Sequence, residues 1–146
     1  MDGIIFDVDG TLWDSVEAVA ESWNLAIKEN SDLEPNLNRE ILQGLFGKTM
    51  DEIAAGVFPN LDPDSRRKLM DICFDYENRY LETHPGVYYE GVMDTLKELA
   101  LEYPLFIVSN CQCGYIEVMM KGAGMEPYIK DFLCFGQTQT SKDQTI

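Results

Sequence analysis

Two carboxylates one residue apart, Asp7 and Asp9, close the apolar run Gly3-Ile4-Ile5-Phe6 and lead at once into Gly10 and Thr11. Alternate residues of an extended segment project to one side, so this spacing sets the two acids near each other. The Gly-Thr turn behind them is expected to expose backbone N–H groups, which attract anions, while the acids attract cations. The chemistry this suits is that of a phosphate group handled with the help of a cation. Without the turn, the same acids would be a solvated strand terminus. Ser109-Asn110 ends a second apolar run, and Lys142 follows a third. Ser and Asn are common turn residues, and only their place at a strand end marks them as donors to a bound anion.

Two other groupings carry less. Gly47-Lys48-Thr49 looks like the end of a nucleotide-binding P-loop, but Leu42 stands where the first glycine belongs and no strand precedes it. It is read as a turn between helices with Thr49 as N-cap. Cys111 and Cys113 lack a second pair at zinc-ligand spacing, and His84 is the only histidine. They read as buried or semi-buried thiols beside the site.

Strands and helices must bring these residues together. The run Gly3 to Val8 has no helical spacing and reads as a strand buried on both faces of a parallel sheet. Asp14 with Glu17 resembles a capping box, and Val16, Val19, Ala20, Trp23 and Ile27 follow at helical spacing. Further helical stretches hold Ile41, Leu42 and Leu45; then Ile53, Ala54 and Val57, after Thr49 and Glu52; then Leu69, Ile72, Cys73, Tyr76 and Tyr80, from Asp62-Pro63 to near His84-Pro85-Gly86. From there helix and strand alternate: a helix face at Val92, Leu96, Leu99 and Ala100, a strand Leu105-Phe106-Ile107-Val108, a helix with Ile116, Met119 and Met120, and a strand Phe132-Leu133-Cys134-Phe135. The expected fold class is α/β, a doubly wound Rossmann-like parallel sheet interrupted after its first strand by an inserted helical cap. Residues 1–14 and 86–146 form the core of this arrangement and 15–85 the cap. In such sheets ligands bind beyond the carboxyl ends of the strands, where Asp7, Asp9, Ser109, Asn110 and Lys142 all fall.

Asp7-Val8-Asp9-Gly10-Thr11-Leu12 resembles the first motif of haloacid dehalogenase-like phosphatases, Asp-x-Asp-Gly-Thr-Leu, without a departure. The likeness extends through the inserted helices to Ser109-Asn110 and Lys142, in the manner of the phosphoglycolate phosphatase and β-phosphoglucomutase branch. It implies that Asp7 is a nucleophile forming an aspartyl phosphate, and that Asp9 is the general acid and then the general base. Mg²⁺ would be held by the Asp7 carboxylate and the Asp9 backbone carbonyl. Gly10, Thr11, Ser109, Asn110 and Lys142 would bind the phosphoryl group, although Asp143 follows the lysine where proline is usual in that branch. Lys48, in the cap, would contribute to substrate choice. The implied substrate is a small phosphorylated metabolite, a phosphomonoester to be hydrolysed. Phosphomutase activity of the β-phosphoglucomutase type, or a non-catalytic binding role, remains the alternative.

The resemblance also implies a fourth motif, with acids completing the Mg²⁺ shell, beyond Ile146. The chain is therefore expected to be the larger, N-terminal part of such an enzyme, with little activity alone, and to pair with a second copy through the open edge of the Asp7 strand. Eleven Lys and Arg against 26 Asp and Glu give a net charge of -15, which repels nucleic acid and anionic lipid. No apolar run reaches the length of a membrane helix, and no basic leader opens the chain, so a cytoplasmic protein is expected.

Overall fold

The computed structural model describes residues 2–134. Strand β1 (Ile4–Phe6) lies parallel to β4 (Leu105–Ser109), with Ile5 opposite Phe106, and β5 (Asp131–Cys134) continues the sheet on the far side of β4 in the order β1-β4-β5. The central strand has Leu105, Ile107, Val108 and Ser109 buried, as a continuous apolar run in a covered parallel sheet requires. Helix α5 (Val92–Ala100) leads into β4 and packs on it, and α6 (Tyr115–Ala123) joins β4 to β5. An α/β fold with a parallel sheet is thus confirmed. Among the described residues β1 has no strand on its outer side, and Ile5 is exposed. None of the described helices is long and apolar enough to cross a membrane.

Between β1 and α5 lie four helices: α1 (Val16–Asn30), α2 (Arg39–Gln43), α3 (Met50–Val57) and α4 (Pro63–Thr83). Helix α4 starts where Asp62 accepts from the Ser65 amide and Pro63 occupies the first turn; α3 starts where Thr49 accepts from the Glu52 amide. The long pair, α1 and α4, forms the centre of the block, with Trp23 edge-on to Phe74 at 5.9 Å between centroids. Loss of a ring buried as Trp23 is costs about 3–5 kcal/mol. The buried stripe of α4 is Leu69, Met70, Cys73, Phe74, Glu77 and Leu81. Ile72, Tyr76 and Tyr80, expected on that face, are only partly buried. The stripe is rotated because Phe74 and Glu77 meet Trp23 of α1.

Two further features depart from the sequence reading. The segments that link the helical block to the sheet are themselves strands, β2 (Trp13–Asp14) and β3 (Val87–Tyr88), paired antiparallel with Trp13 opposite Tyr88. Gly86 permits this approach, since a Cβ there would come within 2.8 Å of the Trp13 ring and 2.9 Å of the Asp14 carbonyl. The second departure follows from the first. With Asp14 in a strand, α1 begins after Ser15, and the expected Asp14–Glu17 capping box does not form. Both acids instead pair with Arg39 of α2, at 3.0 and 3.3 Å.

Candidate active site

Parallel pairing of β1 with β4 brings their two carboxyl-terminal loops side by side, and with them Asp7, Asp9, Ser109 and Asn110. The loop after β1 winds around the Val8 carbonyl, which accepts from the Thr11 amide at 3.1 Å and the Leu12 amide at 2.8 Å. Gly10 supplies the positive φ, 75°, that this turn needs. Its own amide donates to the Trp13 carbonyl at 3.1 Å. The Gly10 and Thr11 amides are therefore engaged within the turn, where the sequence suggested that they would face an anion. Ser109 is buried at the end of β4, and the Asn110 side-chain amide donates to the Gly47 carbonyl at 2.8 Å, drawing the α2–α3 turn over the site. Lys48, beside Gly47, is exposed in that turn. Lys142 lies outside the described residues, as does Phe135 of the expected third strand.

The two acids differ in their surroundings. One oxygen of Asp9 accepts from the Tyr115 hydroxyl and, at 3.4 Å, from that of Ser15. Tyr115 shares a 2.8 Å hydrogen bond with Ser15 and accepts from the Trp13 indole at 3.2 Å. Burial pushes the Asp9 carboxyl up to about 6 and Asp7's charge adds to that, while the hydrogen bonds from Tyr115, Ser15 and Trp13 pull the other way. Tyr115 is held well above its ordinary range, first by burial and then by the charges of Asp9 and Glu77, so it remains a donor to Asp9. The result is a carboxyl that exchanges its proton near neutrality beside a second acid.

Lining a small, partly open space of about 30 Å³ with these acids are Trp23, Phe46 and Phe74 of the helical block, and with them Glu77. Glu77 is buried, accepting from the Trp23 indole at 2.7 Å and from the Gln112 amide. Gln112 also donates to Asn78 at 2.9 Å, and Asn78 to the Cys113 carbonyl at 2.8 Å, so α4 is tied to the loop after β4. Cys111 is buried there, whereas Cys113 is exposed, against the expectation for it.

Glu77 and Tyr115 escaped the sequence reading. An acid three residues after Phe74 and four after Cys73 sits on the buried stripe of α4, and that break in an apolar face was the available signal. Nothing local marks Tyr115, whose partners are distant in sequence. Burial pushes the Glu77 carboxyl from near 4.5 up to about 8; the Gln112 hydrogen bond opposes this, Asp9's charge adds to it, and the Trp23 hydrogen bond opposes it. The folded chain thus holds this proton more tightly than the unfolded chain. The stability that goes with it is full below about pH 4.5 and is lost as pH rises to about 8. Urea unfolding midpoints are expected to fall across that window, and Glu77→Gln to flatten the fall by up to a few kcal/mol. An unchanged slope in the variant would show that Glu77 does not carry it.

A family profile described as haloacid dehalogenase-like hydrolase matches residues 4–146. The chain belongs to that family. No curated protein sequence matches it. Among solved structures, a predicted phosphoglycolate phosphatase from Haemophilus somnus aligns over 94% of the chain at 23% identity with a TM-score of 0.80. A haloacid dehalogenase-like hydrolase from Streptococcus pneumoniae aligns over 92% at 21% identity and TM-score 0.73, and the magnesium-bound HAD-hydrolase YfnB from Bacillus subtilis over 94% at 22% and 0.60. These likenesses carry the fold. The chain spans 63%, 61% and 66% of the three structures, so the haloacid dehalogenase-like hydrolase described here corresponds to under two thirds of their length.

Proposed function

We propose that this chain carries the nucleophilic site of a magnesium-dependent phosphatase that hydrolyses a small phosphomonoester. The observation that supports it most is the division of labour between the acids: Asp7 at the end of β1, and Asp9 held by Tyr115 and Ser15 with a proton that leaves near pH 6. An Asp7 oxygen forms a bond to phosphorus as the bond to the ester oxygen breaks, and Asp9 gives its proton to the departing alcohol. Asp9 then takes a proton from the water that attacks the aspartyl phosphate. Phosphate leaves, Asp7 is restored and Asp9 is protonated again.

The Asp7 carboxylate and the Asp9 main-chain carbonyl are hard oxygen donors that suit Mg²⁺, and the Asp9 side chain is already committed to Tyr115 and Ser15. Among the described residues no three His, Cys, Asp or Glu side chains gather at metal-binding distance. Waters and other oxygen donors would complete its shell. Bound there, Mg²⁺ would offset the charge of the phosphate and polarise its oxygens. Ser109, Asn110 and Lys142 would donate to the phosphoryl group, and Gly10 and Thr11 would shape the turn that aims Asp7. Residues 15–85 would act as a cap over a core of 1–14 and 86–146, with Lys48 at its substrate-facing turn.

The test is hydrolysis of p-nitrophenyl phosphate by the protein in its full native length. Turnover is expected with MgCl₂, to fall at least about 100-fold in EDTA, and to return when Mg²⁺ is restored. Undiminished turnover in EDTA would overturn the reading.

A further inference from the structure

We propose that the substrate is the phosphate ester of a short amino alcohol, with its ammonium group bound by Glu77. This rests on the phosphatase reading above. With phosphorus at Asp7, beside Ser109 and Asn110, the leaving group enters the space between the sheet and the helical block, whose far wall is Trp23, Phe74 and Glu77. That space is small, about 30 Å³ in all with Asp7 and Asp9 among its lining, so a leaving group of only a few heavy atoms suits it.

Its polarity is one-sided. Both Glu77 oxygens accept from neutral groups, the Trp23 indole and the Gln112 amide, and among the described residues no Lys, Arg or His lines the space. A buried carboxylate held only by neutral donors lacks the positive partner that such groups ordinarily have. An ammonium on the leaving group supplies it, and apolar rings around the pair exclude the water that would weaken it. A hydroxyl satisfies Glu77 less fully, and a carboxylate adds a negative charge beside Asp7 and the phosphate and offers Glu77 no cation. Burial keeps Glu77 protonated up to about pH 8 when no cation faces it, and an arriving ammonium favours the ionised form. The one Arg near Asp7 is Arg39, in an adjoining groove that shares Asp7, Asp9, Phe46 and Gly47 with this space, and Asp14 and Glu17 already match its charge.

Three near-isosteric esters separate the possibilities: phosphoethanolamine, 2-hydroxyethyl phosphate and phosphoglycolate, with p-nitrophenyl phosphate as a general probe. The protein in its full native length is expected to favour phosphoethanolamine over 2-hydroxyethyl phosphate by at least about tenfold in kcat/KM, with phosphoglycolate last. In Glu77→Gln the first ratio is expected to collapse to within about threefold. Phosphoethanolamine no better than 2-hydroxyethyl phosphate, or phosphoglycolate leading through the Arg39 groove, would overturn the inference while leaving the phosphatase reading intact. A preference undiminished in Glu77→Gln would overturn the role of Glu77, and should that variant fail to fold, the wild-type ratios decide alone. Hydrolysis of none of the four esters would overturn both readings.

Discussion

Asp7→Asn is expected to reduce phosphatase turnover by on the order of 10⁴-fold or more, the scale on which loss of a covalent nucleophile acts. A neutral amide neither displaces the ester oxygen nor offers a charged oxygen to Mg²⁺. The fold should be unaffected, because Asp7 is half-buried in a strand-end loop whose turn is closed by the Val8 and Trp13 carbonyls. Two measurements made together check this. Acid quenching of the wild type during turnover of a ³²P-labelled ester should trap label on the protein, and the Asn variant should trap none while melting at the parent temperature. Label on the variant, or turnover near that of the parent, would remove Asp7 from the nucleophile's role.

Asp9→Asn is expected to cost about 10²–10⁴-fold, with a signature that depends on the leaving group. An alkyl ester needs a proton as it departs, whereas p-nitrophenolate is stable without one, so the loss should be far greater for the alkyl substrate. The pH profile gives the sign independently. Burial, with help from Asp7, holds the Asp9 proton up to about pH 6, and the first step needs that proton in place. For an alkyl ester, kcat/KM should therefore decline as pH rises through about 6, and the decline should be missing with p-nitrophenyl phosphate. Tyr115→Phe removes a hydrogen bond that favours the charged carboxylate, so the descending limb should move to higher pH. A limb that stays in place, or equal losses for both classes of ester, would exclude Asp9 as the proton donor.

What the sequence disclosed follows the range of the forces involved. The turn of Gly10, the Thr49 and Asp62 caps and the apolar runs of β1 and β4 depend on neighbours a few residues away, and each was visible as a pattern. The Asp7 and Asp9 pair was visible for the same reason. Asp14 was misread because its local pattern, an acid three residues before Glu17, competed with a strand pairing whose other half lies beyond all four helices. Two-residue strands such as β2 and β3 have no periodicity to find. The Tyr115 contact with Asp9 and the Glu77 contacts with Trp23 and Gln112 join elements that only the folded chain places together. Amino-acid type alone therefore marked the candidate acids but not the groups that set the proton affinity of Asp9.

The pairing of β2 with β3 has a mechanical consequence. Two separate tethers would let the helical block both tilt and swivel against the sheet, but tethers zipped into one ribbon behave as a single axle and leave mainly the tilt. Trp13 is part of that axle, with its ring 5.4 Å from Tyr88 across the ribbon and its indole donating to Tyr115, which in turn donates to Asp9. A rotation about the axle would thus reach Asp9 through two hydrogen bonds. Were the helical block to tilt on this axle, the hydrogen bonds that set the acidity of Asp9 would shift with it, so that opening the site would also retune its acid.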